Sequence, residues 1–179
     1  IEDEEQSFTI TELERTLKGH TQGILALTIT SDGKIVSTGN DKTIRIWDVE
    51  RRKVKILRGH SSVVLALTIT PDGKIVSGDN DGTIRIWDVE RGKVKVLLGR
   101  MASVKAITIT PDGKIISGGL DNTIRIWDVE RGKVKVLRGL TGDVNALTIT
   151  PDGKIVSGAG DGTIRIWDVK RGKVKVLRG

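Results

Sequence analysis

The spacing of the tryptophans constrains the fold more than any other feature of this chain. Trp47, Trp87, Trp127 and Trp167 lie 40 residues apart, with no insertion or deletion between them. From residue 19 the chain consists of four copies of one 40-residue unit, and 23 columns of that unit are identical in all copies. A period of this length predicts a repeat architecture in which each unit forms one supersecondary element. We expect units at residues 19–58, 59–98, 99–138 and 139–179, preceded by a head of residues 1–18.

Each unit predicts four short antiparallel strands, because β-branched and aliphatic residues dominate four segments separated by turn residues. In the second unit these segments are residues 64–70, 74–78, 83–89 and 93–98. Pro71-Asp72-Gly73, Asp81-Gly82 and Glu90-Arg91-Gly92 supply the turns between them. One four-stranded meander per unit predicts an all-β propeller of four blades rather than a helical solenoid.

The first unit also carries Gly19-His20, Asp41 and Trp47-Asp48, and the second unit repeats these motifs at equivalent positions. Through these motifs residues 19–179 resemble the WD-repeat (β-transducin-like) propeller family. The near-identity of the copies further resembles recently amplified bacterial propellers and engineered consensus-like arrays. The resemblance implies that a His, a Ser, an Asp and a Trp of each blade form a buried, hydrogen-bonded tetrad.

Two of the four tetrads implied by the resemblance are complete. They are His20, Ser37, Asp41 and Trp47 in the first blade, and His60, Ser77, Asp81 and Trp87 in the second. The incomplete ones are Ser117, Asp121 and Trp127, with Arg100 in place of the His, and Ser157, Asp161 and Trp167, with Leu140 in its place. A buried Asp without its partner costs about 1–3 kcal/mol. Either these two blades are locally weaker, or Arg100 supplies a substitute donor.

The residue inventory argues against an enzyme and against a metal or cofactor. The chain has no Cys and two His, which excludes a disulfide framework, a thiolate metal site and a cysteine nucleophile. Ser, His and Asp also form hydrolase triads, but here the trio recurs with a Trp and without an oxyanion-hole signature. Without a signal peptide or a long apolar run, we expect a cytoplasmic protein with no membrane partner. Since the chain begins with Ile1 rather than Met, we expect it to be a fragment.

Four blades make about half of a propeller, because rings of this type usually close with seven or eight. Closing four would need a rotation of about 90° per blade, more than ordinary sheet twist supplies. Left open, the end blades would expose apolar faces, so we predict a two-fold homodimer that forms one eight-bladed ring. Residues 13–18 align with an outer strand and are surplus; they either exchange with the partner or remain an extra edge. Phe8 and Ile10 are expected to cover an apolar seam.

Variation among the copies is confined to one predicted face. Eight columns hold three or more residue types: those of His20, Thr21, Gln22, Gly23, Leu25, Gly39, Asn40 and Lys42. They fall in the loop before the first strand and in the turn between the second and third strands, which emerge on the same face. The opposite turns, 32–34 and 48–51, barely change, although loops on both faces should drift freely. This predicts a binding face for a protein or peptide. Its candidate residues are Thr21, Gln22, Leu25, Asn40, Lys42, Ser61, Ser62, Leu65, Asp79, Asn80, Arg100, Met101, Lys105, Leu120, Asn122, Leu140, Thr141, Asp143 and Asn145.

The net charge of +7 combines an acidic head of −4 with a basic body of +11. The basic residues recur at the fixed positions of Lys34, Arg45, Arg51, Lys53 and Lys55, which we expect on outer strands and on the constant face. No stacking aromatics are interleaved with them, which favours a solvated rim over a nucleic-acid site. Two alternatives to the binding-face hypothesis remain: a self-assembling propeller with no specific ligand, and weak polyanion binding by the rim.

Overall fold

The computed structural model describes residues 16–98 and 102–178, and within them the chain forms sixteen β-strands and no helix. Blade 1 holds β1 (Ile24–Ile29), β2 (Ile35–Gly39), β3 (Ile44–Asp48) and β4 (Lys53–Leu57). Blade 2 holds β5 (Val64–Ile69), β6 (Ile75–Asp79), β7 (Thr83–Asp88) and β8 (Lys93–Leu98). Blade 3 holds β9 (Val104–Ile109), β10 (Ile115–Gly119), β11 (Ile124–Asp128) and β12 (Lys133–Leu137). Blade 4 holds β13 (Val144–Ile149), β14 (Ile155–Ala159), β15 (Thr163–Asp168) and β16 (Lys173–Arg178).

Each blade is a four-stranded antiparallel sheet whose strands pair in chain order. The predicted all-β class and the four blades of four strands are confirmed. The turns of blade 2 form where glycine permits a positive φ: Gly73 has φ 83° and donates its N–H to the Thr70 carbonyl at 2.9 Å, and Gly82 has φ 80°. The described residues contain no helix of the length and apolarity needed to cross a membrane.

The hydrophobic core lies between the blades rather than within them. One cluster joins Val36 and Ile44 of blade 1 to Ile75 and Trp87 of blade 2. Equivalent clusters join blades 2 and 3 and blades 3 and 4, with Trp127 and Trp167 in the positions of Trp87. A single twisted sheet cannot bury both of its faces alone, so each blade relies on its neighbours.

The two ends of this array lack such a neighbour. Ile24 of blade 1 is 52% exposed, whereas the equivalent residues Val64, Val104 and Val144 are fully buried. At the other end Ile164 of blade 4 is 50% exposed, whereas its equivalents Ile44, Ile84 and Ile124 are fully buried. The described residues therefore form an open array with an apolar surface at each end.

Several predictions concern residues that lie outside the described part of the chain. These are the acidic head with Phe8 and Ile10, most of the surplus outer strand at 13–18, and the residues Arg100 and Met101 of the third unit. The substitute donor expected from Arg100 and the seam-covering role expected from the head accordingly stay predictions.

Candidate functional site

The two variable regions of each blade lie side by side. The Asn40 N–H donates to the Gly23 carbonyl at 3.0 Å, which ties the turn between β2 and β3 to the loop before β1. Equivalent backbone bonds run from Asn80, Leu120 and Gly160 in the other blades. We call the surface formed by these paired loops, residues 20–25 and 39–42 with their equivalents, the variable face. The turns at 32–34 and 48–51 line a common cavity of about 230 Å³ at the opposite end of blade 1, the constant face.

Most of the predicted binding-face residues reach solvent. The exposed ones are Thr21, Gln22, Leu25, Asn40, Lys42, Ser61, Asn80, Leu120, Thr141 and Asn145. The half-buried ones are Ser62, Leu65, Lys105, Asn122 and Asp143. Two predictions are wrong, because Asp79 is fully buried and Leu140 is 7% exposed. Leu140 packs with Val144 and Trp167 in the core between blades 3 and 4, so an apolar side chain occupies the place of the tetrad His.

One variable column lies at a β-bulge on the innermost strands. In blade 1 the register shifts between Ile24 and Ala26, so that Leu25 is the extra residue. Such bulges re-aim a side chain away from the regular pleat. The equivalent Lys105 of blade 3 reaches across to blade 4, where its Nζ donates to Asn145 Oδ1 at 2.8 Å and to Asp143 Oδ2 at 3.2 Å. Side chains of this column therefore meet between neighbouring blades.

The tetrad of blade 1 has the geometry that the resemblance implies. His20 Nδ1 lies 2.8 Å from Asp41 Oδ2, His20 Nε2 lies 2.7 Å from Ser37 Oγ, and the Trp47 indole N–H donates to the same Oγ at 2.7 Å. Burial raises the pKa of Asp41, but hydrogen bonds from His20 and Thr43 outweigh it and lower the pKa to about 2. The carboxylate is thus held ionised inside the blade.

Blade 2 corrects the predicted tetrad, because Asp79 and not Asp81 pairs with the histidine. His60 Nδ1 lies 2.6 Å from Asp79 Oδ2, while His60 Nε2 and the Trp87 N–H contact Ser77 Oγ as in blade 1. Burial lowers the pKa of His60, and the Asp79 hydrogen bond opposes this only in part. The carboxylate of Asp81 faces solvent instead and accepts a hydrogen bond from Ser61 Oγ at 3.1 Å.

The reason is that Asp79 takes over both functions of the usual aspartate. Its Oδ1 accepts the N–H groups of Asp81 at 3.0 Å and Thr83 at 2.9 Å, which leaves Oδ2 for the histidine. Blades 1 and 3 have glycine at this position, and a Cβ added there would clash with the carbonyl oxygens of Gly23 and Ser103. The loop backbone of blade 2 must therefore differ locally to admit Asp79.

In blades 3 and 4 an arginine of the third strand pairs with the aspartate. Arg125 Nη1 donates to Asp121 Oδ2 at 2.6 Å, and Arg165 Nη2 donates to Asp161 Oδ2 at 3.2 Å. The tetrad implied by the resemblance does not include this partner, although an Arg four residues after the Asp in every unit is a sequence signal for it. The Trp–Ser hydrogen bonds persist in both blades, from Trp127 to Ser117 at 2.8 Å and from Trp167 to Ser157 at 2.9 Å.

These arginines also correct the predicted basic rim. Arg45 and Arg125 are each 8% exposed, because they turn inward to the aspartates rather than outward to solvent. The outer-strand lysines are exposed as expected, among them Lys53 and Lys55. The solvated basic charge is therefore smaller than the sequence suggested.

Both the sequence and the fold of this chain are similar to those of known proteins. The sequence matches the family described as WD domain, G-beta repeat (WD40) over residues 11–48, 51–88, 92–128 and 131–168. A search of the curated proteins finds no match. Among solved structures the chain is similar to the crystal structure of RRP9 WD40 repeats, with 28% sequence identity and a TM-score of 0.83. That match covers 92% of this chain and 54% of that one, so this chain spans about half the length of the solved structure.

Proposed function

The chain belongs to the WD40 repeat family, and from this premise we propose that it is an interaction scaffold whose variable face binds a protein or peptide. WD40 propellers are generally non-enzymatic scaffolds for protein interactions. One observation carries the proposal: the columns that differ among near-identical blades are brought together, by the backbone bond from Asn40 to Gly23 and its equivalents, into one surface. A rigid framework with diversified loops is the usual arrangement of a recognition surface.

A catalytic role for the tetrads has little support. The serine hydroxyls that a hydrolase would need lie in the blade interiors, where Ser37 is 1% exposed and Ser77, Ser117 and Ser157 are fully buried. Trp47 and its equivalents donate their indole N–H groups to these hydroxyls. A nucleophile must reach the reacting atom of its substrate. The tetrads are better explained as supports that hold the loops of the variable face in position.

We further propose that two copies close head to tail into one eight-bladed ring. The exposed Ile24 of blade 1 and Ile164 of blade 4 occupy positions that every internal blade boundary buries completely. The end of blade 4 therefore offers the surface that blades 1 to 3 offer to their successors. The end of blade 1 offers what blades 2 to 4 offer to their predecessors. A second copy can extend the internal interface twice, once at each seam, and closure leaves no apolar end.

The glycine column between blades supports the same seam. A Cβ at Gly78 would clash with Val104 of the next blade, and one at Gly118 would clash with Val144. These glycines permit the close approach of blade 2 to blade 3 and of blade 3 to blade 4, whereas blade 1 has Thr38 at the equivalent position. At Gly158 of blade 4 the added Cβ would meet only Ala146 of its own blade, at 3.6 Å. In the proposed ring Ile24 of the second copy takes the position over Gly158.

The binding proposal is tested by making the variable loops identical. Peptides are first selected on the wild-type protein from a random library displayed on phage. Their affinities are then measured on a variant in which all four blades carry the loops of blade 1, and on a matched variant altered at the constant-face turns. We expect the selected peptides to lose binding to the first variant and keep binding to the second. Equal binding to both variants would contradict the variable face as the binding site. No selected peptide at all would contradict a binding function and favour a self-assembling propeller without a ligand.

A further inference from the structure

Blade 2 carries an exposed carboxylate, that of Asp81, which forms no ion pair with a described residue. We propose that Asp81 is a recognition site on the variable face for a basic side chain, a lysine or an arginine, of the bound peptide or protein. The inference rests on the proposed function and names the chemistry of the partner at one blade. It follows from the exchange of Asp79 for Asp81 in the tetrad.

The equivalent aspartates of the other blades are paired inside the structure. Asp41 pairs with His20 at 2.8 Å, Asp121 with Arg125 at 2.6 Å and Asp161 with the arginine of its own blade at 3.2 Å. Each of these carboxylates also accepts hydrogen bonds from the threonine two residues later. They support the turn between the second and third strands, and both oxygens of each carboxylate are occupied by partners within the blade.

Asp81 has lost both of these attachments. The backbone N–H of Thr83 donates to Asp79, and so does His60. Among residues 16–98 and 102–178 Asp81 forms no ion pair, and its carboxylate accepts a hydrogen bond from Ser61 Oγ at 3.1 Å. The residue is exposed on the turn of the variable face. An ionised carboxylate in this position retains most of its hydrogen-bonding capacity for a partner.

The arginine of blade 2 does not neutralise it. Arg85, which corresponds to Arg125 and Arg165, makes no ion pair with a described residue, and its Nε is buried without a hydrogen-bond partner. In blades 3 and 4 the aspartate reaches the arginine while its other oxygen caps the threonine N–H. In blade 2 that cap belongs to Asp79, so nothing anchors the Asp81 carboxylate over the guanidinium.

The surroundings of Asp81 select a cation rather than another ligand. Ser61 places a hydroxyl beside the carboxylate, and the next position is Gly82, where blade 1 has Lys42. No side chain therefore competes from that position. A lysine or arginine can form a charge-assisted hydrogen bond with Asp81, and such bonds are stronger than those between neutral groups. Arginine can use both carboxylate oxygens.

The experiment uses the phage-displayed random peptide library selected on the wild-type chain. We expect the selected peptides to be enriched in Lys or Arg at one position, and Asp81→Asn to weaken their binding about tenfold. Asp72→Asn is the matched control, because it removes the same charge from the constant face of the same blade. It should leave binding unchanged. In Asp81→Lys, peptides whose basic residue is changed to Glu should regain affinity.

The outcomes separate this inference from the function on which it rests. Peptides that need the variable loops but show no basic preference, or that bind Asp81→Asn as tightly as wild type, overturn the role of Asp81 alone. A library that yields no binder overturns the binding function and this inference together. Because Asp81 is exposed and lies outside the tetrad, Asp81→Asn should keep the wild-type unfolding midpoint, and circular dichroism checks that it does.

Discussion

Blades 2 and 4 have nearly the same sequence on the faces of their sheets, yet those faces differ in exposure. Ile84 of blade 2 is fully buried and Ile164 of blade 4 is 50% exposed, although both lie at the same position of the third strand. The difference comes from the neighbour: blade 3 covers Ile84, and no described residue covers Ile164 in the same way. Each internal blade face is thus covered by its neighbour, whereas the faces at the two ends of the described array stay exposed.

The same two blades also pair the carboxylate of the tetrad with different partners. Blade 2 keeps His60 and pairs it with Asp79, at 2.6 Å. Blade 4 has Leu140 in place of the histidine, and its aspartate pairs with Arg165, at 3.2 Å. Either solution satisfies the buried carboxylate, so the loss of a family residue does not by itself predict a weak blade. Local weakness of the third and fourth blades stays a prediction, and the arginine partners of Asp121 and Asp161 reduce its expected size.

The largest expected difference between the two blades comes from replacing the equivalent isoleucine of each blade by lysine. Ile84→Lys buries an ammonium group between blades 2 and 3 and should cost more than about 4 kcal/mol, enough to unfold the chain. Ile164→Lys places the same group on an open end and should leave the fold intact while preventing association. Circular dichroism and light scattering measure the two effects. A folded Ile84→Lys or an associated Ile164→Lys would contradict the comparison.

A smaller effect on the free energy of unfolding is expected when blade 2 is given the residues that blade 4 has at the histidine and aspartate positions. His60→Leu alone leaves Asp79 buried without its partner and should lower the free energy of unfolding by about 3 kcal/mol. The double variant His60→Leu/Asp79→Ala reproduces the residues of blade 4 and should recover most of that loss, since Asp81 can then pair with Arg85. Urea unfolding of the three proteins gives the values. If the second substitution does not restore stability, the His–Asp pair of blade 2 and the Arg–Asp pair of blade 4 are not interchangeable.

The close approach of blades predicts a further asymmetry. Gly78→Ala forces a methyl group against Val104 and should destabilise the chain by about 1–3 kcal/mol. Gly158→Ala meets no atom of another blade, so the unfolding of a single chain should not change. In the proposed ring it weakens association instead, because Ile24 of the second copy packs there. Thermal unfolding at high dilution measures the stability of the single chain, and sedimentation at higher concentration measures association. Equal shifts of the unfolding temperature in the two variants would contradict this prediction.

The smallest predicted effect is a pH dependence that belongs to blade 2. Burial holds the pKa of His60 below its usual 6.5, so the folded chain binds this proton less readily than the unfolded chain does. Stability from this residue is full above pH 6.5 and is lost as the pH falls from there toward the lower pKa of the folded state. Blade 4 has no such group. As the pH falls through this range, the urea midpoint should fall more in the wild type than in His60→Leu/Asp79→Ala. An equal fall in both proteins would show that another group causes the pH dependence.

The sequence predicted the strands well because their determinants are local. The expected strand at 93–98 is observed as Lys93–Leu98, and the one at 64–70 as Val64–Ile69. It failed where two groups compete for one partner. Spacing places Asp79 and Asp81 two residues apart, and only packing decides which of them is buried beside His60. For the same reason Leu140, expected on the surface, belongs to the core.

The central claim is that a four-blade chain completes its ring with a second copy, and the native mass of the assembled protein tests it most directly. Native mass spectrometry should give a species of twice the chain mass for the wild type, with no larger series, and a monomer for Ile164→Lys. A wild-type protein that stays monomeric at micromolar concentration, or that grows into an open series of oligomers, would contradict closure into one eight-bladed ring.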